Sequence, residues 1–512
     1  MFDKWLKLPA HYYLHITALS LLSVGVVLSN VLMSIGTIWI IANWLIEMDF
    51  KAKWVRFKSN KKVIIISVFF VLMLMSLIWS KDLNYGLKDI LVKLPFITIP
   101  LVMGTSKPLE SKIYRFLLYL LLASLTFTTV FNFIRFQTHH FADIRAMSFF
   151  VSHIRLGGVI CMVIFLTFYQ SFRHKMPFWI TIPIGLWLLF YLYQSQTLTA
   201  YVLFLILAVT SVFYSLSLNG RYIFAVFLVG LILLVGYFIT TSIQITNSPS
   251  QIDDSKLVWY TPNGNSYYHD TTSTLTENGT LIWRYVCIKE LRREWNKVSQ
   301  IKYDSLDLKQ QPIYGTLVRY MSSKGFRKDS VDFQKLTKLD IKNIEKGQVN
   351  YIDKSIFQDK IGELYLNYLI YSGGGDPNGH SFIQRIEHFK TALSIIKTKW
   401  VFGVGLGDVK LAFENQYQID DSKLNIEHRY RSHNQFLTNW ISLGILGFGL
   451  SIFILFSPFF DKKRSFSLIT VSVSLVFSFF TQDLIETQAG VTIFALFYSL
   501  VNFKGSTNGK IR

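Results

Sequence analysis

Apolar residues run along this chain in blocks of about the length that a tilted membrane helix needs, roughly 20 residues. The blocks fall near residues 12–29, 31–48, 63–79, 89–104, 113–134, 150–170, 177–194, 197–215, 221–242, 434–458, 465–481 and 488–503. They predict about twelve transmembrane helices, an all-α polytopic membrane protein. One long interval, residues 243–432, is polar and mixed in charge and breaks the pattern. It divides the chain into helices 1–9 over residues 1–242, a large loop domain over 243–432, and helices 10–12 with a short tail over 433–512.

Composition agrees, because 51% hydrophobic and 16% aromatic residues in 512 exceed what one soluble core needs. The first block follows a basic start, as in a secretory signal, but no small-residue cleavage pattern follows it and a second block begins at once, so it reads as a retained helix.

Charge then orients the helices. Lys4 and Lys7, the run KAKWVRFKSNKK from Lys51, Lys107 and Lys112, Arg173 and Lys175, Arg221, the trio KKR from Lys462, and Lys504 with Arg512 fall in alternate connections. The positive-inside rule makes these connections and both termini cytoplasmic, and puts residues 243–432 outside. That loop holds 26 of the 52 Lys and Arg and 22 of the 32 Asp and Glu, so it carries only +4 of the chain's +20. The excess sits in short juxtamembrane segments, which argues against a nucleic-acid partner and for contact with anionic lipid headgroups.

Two cysteines, Cys161 and Cys287, are too few for a disulfide framework, and no zinc ligand spacing is present. No solenoid-period repeat occurs, and SGGGDPNG from Ser372 marks a flexible break within the loop.

Arginines in the wrong place carry the chemical signal. The segment RFQTHHFADIRAMSFFVSHIRLGG holds Arg135, Arg145 and Arg155 on the external side, where positive charge is disfavoured, and Arg155 stands at the entrance to a span. A snorkelling side chain is one reading, and bidentate binding of phosphate oxygens is the other. In HSFIQRIEHFKTALSIIKTKW, Ser381 and Gln384 have capping-box spacing, and Phe382, Ile386, Phe389, Leu393 and Ile396 form one apolar stripe. Arg385 falls at the start of this amphipathic helix, where a cation opposes the dipole unless an anion or a carboxylate such as Glu387 is near. The glycines of WVFGVGLGDV, Gly403, Gly405 and Gly407, match neither a P-loop nor a full dinucleotide fingerprint, and read as a tight turn that lets backbone approach a neighbour or a ligand.

RSHNQFLTNW then opens the tenth block. Ser432 and Gln435 repeat the capping-box spacing and place His433 in the first helical turn, where the dipole keeps imidazole neutral. A neutral His433 is a candidate general base, with Arg431 and free backbone N–H groups beside it to face a negatively charged leaving group.

RSHNQFLTNWISLGILG resembles the His-Asn signature of the O-antigen ligase and polymerase superfamily. QRIEHFKTALSIIKTKWVFGVGLGDV is similar to that family's upstream arginine, amphipathic helix and Gly-rich turn. TQDLIETQAGVTIFALF, entering the last span and containing Glu486, resembles the C-terminal segment of one branch, so the likeness covers most of residues 140–503. It implies a GT-C-like, cofactor-free and metal-independent membrane glycosyltransferase of the bacterial inner membrane, its site facing the periplasm and its large loop mainly helical. The donor it implies is a glycan on polyprenyl (undecaprenyl) diphosphate, and the acceptor is a glycolipid, glycan or protein hydroxyl. His433 matches the family's base, Arg385 and Arg155 its diphosphate-holding arginines, with Arg145 competing for the second place. Ser432, Asn434, Gln435, the three glycines and Glu486 would support them. Ligation to a lipid A-core acceptor in lipopolysaccharide biosynthesis is the preferred reading. Polymerisation, protein O-glycosylation or flipping of the lipid-linked sugar are its rivals. A flippase would not need the large loop and should show two repeated halves, which are absent here.

Overall fold

Helix α1 (Pro9–Leu28) turns directly into α2 (Asn30–Ile46), with the Ser29 hydroxyl capping the second helix by accepting from the Leu32 N–H at 3.4 Å. The basic run that follows, expected as a connection, is itself a helix, α3 (Phe50–Ser59), bent by 114° from α2. Lys53 is turned inward from it to Glu47 at 3.0 Å. The computed structural model describes residues 9–139, 144–247, 257–273, 275–308, 311–352, 356–378, 381–461 and 464–503. Lys4, Lys7, Lys462, Lys463, Lys504 and Arg512, used in the charge reading, lie outside the described residues.

The remaining helices up to the polar interval are α4 (Lys61–Ser76), α5 (Leu83–Thr105), α6 (Ser111–Thr138), α7 (His153–Phe172), α8 (Phe178–Ser195), α9 (Leu198–Ser215) and α10 (Leu218–Asn247). Their positions follow the apolar blocks within a few residues. Seven helices among the described residues are long and apolar enough to cross a membrane, or eight if the bent α2–α3 pair is one span, against about twelve expected. Helix α5 buries Asp89 and Lys93 in its apolar stretch, and the last two helices, α19 (Phe466–Thr481) and α20 (Gln488–Asn502), have only 16 and 15 residues. The architecture is that of an all-α, multi-pass membrane protein.

The chain divides into two units, one of residues 1–218 with 384–512 and one of residues 219–383. The second contains α10, then α11 (Ile288–Val298), α12 (Ile313–Ser323), α13 (Ser330–Phe333), α14 (Lys338–Glu345) and α15 (Ile356–Ser372). Its only strand pair among the described residues, β1 (Thr276–Glu277) and β2 (Thr280–Leu281), is antiparallel with Glu277 opposite Thr280. Asn278 and Gly279 turn between them with φ of +47° and +81°, as a two-residue hairpin requires. A separate core of Leu291, Trp295, Leu317, Met321 and Ile344 lies beneath.

Helix α16 (Ser381–Lys399) brings the chain back to the membrane helices. Ser381 is already helical, and the residue before it lies outside the described residues. The buried face of α16 is His388, Thr391, Ala392, Ile395 and Ile396, whereas Phe382 and Leu393 of the expected stripe are exposed. Ala392, Ile395 and Ile396 pack with Val409, Phe413 and Tyr417 of α17 (Val409–Ile419) and with Ile441 of α18 (Gln435–Phe456).

Helix α18 is broken at Gly444, whose φ of +67° and ψ of −162° only glycine tolerates. The break leaves backbone groups without helical partners, and lipid offers none. The Gly-rich turn supplies them: Val404 N–H donates to Ile441 O at 2.7 Å, Gly405 N–H to Ser442 O at 3.0 Å, and Ile445 N–H to Trp400 O at 2.9 Å. A Cβ on Gly403 would stand 2.5 Å from Ile441 O, and one on Gly405 2.8 Å from Ser76 O. The glycines therefore serve close backbone approach to α18 and to the α4–α5 junction. Asp408 completes the joint by accepting from the N–H groups of Lys81 and Asp82 at 2.9 Å each. Gly444→Ala should cost roughly 1–3 kcal/mol from backbone conformation, with the clash against Val401 O in addition. A thermal melt of the detergent-solubilised protein unchanged from the wild type would contradict this account of the break.

Candidate active site

The segment that opens α18 departs from its expected geometry. Asn434, not Ser432, is the N-cap, its Oδ1 accepting from Leu437 N–H at 3.1 Å. His433 lies one residue before the cap with φ +51°, so it is not in the first turn. Ser432 is fully buried and donates to Asn434 O at 3.0 Å, closing the tight bend that projects His433. A non-glycine residue held at positive φ beside a buried polar network is a mark of functional sites.

Two carboxylates from the turn between α19 and α20 hold this bend. Asp483 accepts from the His433 backbone N–H at 3.1 Å and from Thr438 Oγ1 at 2.6 Å, and burial pushes its carboxyl up to about 6. Glu486 accepts from Gln435 Nε2 at 3.0 Å and from Lys93 Nζ at 2.9 Å, and pairs with Arg431. Burial alone would raise its pKa, but Lys93 and Arg431 outweigh that and hold it at about 2. Lys93, fully buried, reaches Asp89 as well, at 2.7 Å. Gln435 turns its Oε1 to Ile485 N–H at 2.9 Å. Arg431, expected to face a leaving group, is instead committed to Glu486 and the Tyr85 hydroxyl inside the bundle. Two cations and two carboxylates thus neutralise one another, as buried charges must.

Above this foundation stand further cationic and aromatic side chains. Arg385 and His388 stand three residues apart on one face of α16. His388 is buried, donates Nε2–H to His428 O at 2.9 Å, and keeps an unpartnered Nδ1. Its ring centroid is 5.3 Å from that of His433, and Tyr430 closes the triangle at 6.0 Å and 5.9 Å. Burial, then His388, then Arg385 push His433 down to about 4, and its ring makes no hydrogen bond among the described residues. Arg385 is lowered by burial and by the charge of Arg145, which places those two guanidinium groups in one field. No carboxylate lies within 4.0 Å of Arg385 among the described residues. Glu387, the partner offered by the sequence, accepts from Ser422 Oγ at 2.9 Å. Arg155 feels the Asp483 charge but leaves its buried Nε without a hydrogen bond.

The structure therefore puts Arg385 in reach of His433, Arg145 in reach of Arg385 and Arg155 in reach of Asp483, which holds the His433 backbone, and Ser432, Asn434, Gln435 and Glu486 build the bend beneath. Gly403, Gly405 and Gly407 belong to the scaffold. Sequence reasoning missed His388, Asp483, Tyr430 and the Asp89–Lys93 pair. The signals were present as Arg-x-x-His on one helix face, Asp-x-x-Glu before the last helix, and an Asp and a Lys four apart in an apolar block. Among the described residues no three His, Cys, Asp or Glu side chains converge as a metal ligand set.

Fold and site define a polytopic helical membrane protein with a histidine at the mouth of a helix, its pKa lowered by burial, by His388 and by Arg385. Residues 349–454 match the family model of the O-antigen ligases, Wzy_C, and this match supports membership in the O-antigen ligase-like superfamily. The matched segment contains Arg385, His388, the Gly-rich turn, His433 and the break in α18, and the family is one of glycosyltransferase-like membrane enzymes. No curated protein matches the chain.

Glu486→Gln should leave Lys93 and Arg431 under-compensated and destabilise the protein by roughly 3–5 kcal/mol. Lys93→Met should cost a similar amount, and the double variant less than the sum of the two. Strict additivity of the melting shifts would show that the pair is not coupled.

Proposed function

We propose that this chain transfers a glycan from a polyprenyl (undecaprenyl) diphosphate carrier to an acceptor hydroxyl, with a lipid A-core sugar as acceptor. The observation that supports this most is a His433 ring without a hydrogen bond in reach of Arg385, while neither Arg385 nor Arg155 has a carboxylate counterion within 4.0 Å among the described residues. Cations held in a low-dielectric site without counterions favour a multiply charged anion, and a diphosphate presents several oxygens to guanidinium forks. The matched family supports glycan transfer of the ligase or polymerase type, and ligation is the reading preferred here. The site faces the periplasm in this reading, where no nucleotide is needed because the donor is already activated.

In the reaction, a His433 ring nitrogen accepts the acceptor O–H proton as that oxygen attacks the anomeric carbon. The bond from carbon to the diphosphate oxygen breaks with inversion, and its electron pair stays on the diphosphate beside Arg385, Arg155 and Arg145. His433 is held low in the free protein partly by Arg385. A bound diphosphate offsets that charge and raises the imidazole pKa, so donor binding strengthens the base at the moment it is needed.

Two measurements test this. His433→Ala should lower kcat by about 10²-fold or more while donor affinity stays near wild type. In the wild type, the acid limb of kcat/KM should fall near His433's value of about 4, and that of kcat should lie higher, because the diphosphate is then bound. Coincident limbs would show that donor binding does not raise the histidine's pKa, and full transfer by His433→Ala onto a defined acceptor, read by mass spectrometry, would remove the histidine from the mechanism. Arg385→Lys should also lose turnover, since a point charge replaces a two-oxygen fork, and wild-type rates in that variant would make the arginine merely structural.

A further inference from the structure

Outside this site, a polar cavity of about 450 Å³ lies where α1 begins and α2 ends, beside the connection from α5 to α6. His11, His15, Asn43, Glu47, Lys107 and Glu110 line it. An apolar groove of about 440 Å³ runs along the α1–α2 hairpin past Ile35, Ile38, Trp39 and Ala42, and it shares His11 and Asn43 with the cavity. A polar pocket that opens into an apolar groove through the same two residues has the form of an amphiphile site. Both are built rather than incidental. His11 Nδ1–H donates to Asn43 Oδ1 at 2.8 Å, Asn43 Nδ2 donates to His11 O at 2.9 Å, and Trp44 Nε1 donates to Thr105 Oγ1 at 2.9 Å. His15, 7% exposed, turns its ring to the cavity without a hydrogen bond among the described residues.

The charges specify the headgroup. Glu47 is already paired with buried Lys53 at 3.0 Å. Lys107 and Glu110 remain at the rim, one cation and one anion, neither ion-paired among the described residues. We propose that cavity and groove together bind one aminophospholipid, its phosphate on Lys107, its ammonium on Glu110 and one acyl chain along the groove. His15 and the free ring nitrogen of His11 face its ester region. A phosphatidylglycerol headgroup would seat the same phosphate on Lys107 but offer Glu110 only neutral hydroxyls and no cation. A choline headgroup has no N–H to donate to that carboxylate. The site lies at the end of the bundle that the charge distribution assigns to the cytoplasm.

The full-length protein is equilibrated with nanodiscs holding equal phosphatylethanolamine, phosphatidylcholine and phosphatidylglycerol, then transferred to mild detergent and its retained lipid counted by native mass spectrometry. About one phosphatidylethanolamine per chain should remain. Glu110→Gln, an exposed substitution, should lower its retention relative to phosphatidylglycerol by about tenfold, the loss of one charge-assisted hydrogen bond. Ala42→Trp, which fills the groove, should lower retention of every phospholipid, and Lys107→Ala serves if the tryptophan variant is not monodisperse. Equal retention of the three lipids by the wild type, no retained lipid, or wild-type retention in monodisperse Ala42→Trp overturns the proposal. Glycan transfer is not read in this experiment, so its outcome is independent of the activity proposed above.

Discussion

A carboxylate with two cations on it, deep among membrane helices, is the constraint on which the site rests. Glu486 joins α5 through Lys93 to the start of α18 through Arg431 and Gln435. Neither partner is able to leave without exposing an unpaired charge to a medium of low dielectric, so the bend that carries His433 is fixed from below. Asp483, one turn earlier on the same loop, holds the His433 backbone directly. The histidine is thus positioned through its main chain, which leaves both ring nitrogens for chemistry.

The opposite balance holds above the ring. Below it, charges cancel; beside it, Arg385 has no carboxylate within 4.0 Å among the described residues, and Arg155 feels the charge of Asp483 without an ion pair. A protein tolerates such an imbalance where an anion arrives as part of its work. The two halves of the site come from different parts of the chain. Arg385, His388 and His433 lie within the segment matched to the O-antigen ligases, and Arg145, Arg155, Asp483 and Glu486 lie outside it.

Hydrophobic blocks made the membrane helices legible, because a span is defined by length and apolarity along one stretch of chain. That criterion is weakest at α5 with its internal charges and at the short α19 and α20, and the count of about twelve is not reached by length and apolarity among the described residues. At the site, residue types were legible and their partners were not. The Ser432 spacing pointed to a helix cap, but Asn434 caps better from two residues on, and the displaced His433 became a bend residue. Arg431 and Arg385 look equivalent in sequence. One is neutralised by a carboxylate 55 positions away and the other is not, and nothing local in the chain records that difference.

The break in α18 also bears on how the chain is made. Its donors and acceptors at Trp400, Val404 and Gly405 come earlier in the sequence than Ile441, Ser442 and Ile445. The polypeptide emerges from the ribosome with the residues of the turn made before the broken helix, so partners for its unmet backbone groups are already in the chain when the helix reaches the membrane. A circularly permuted gene that placed α18 ahead of the turn would contain every contact of the native fold and still have to insert the break without them.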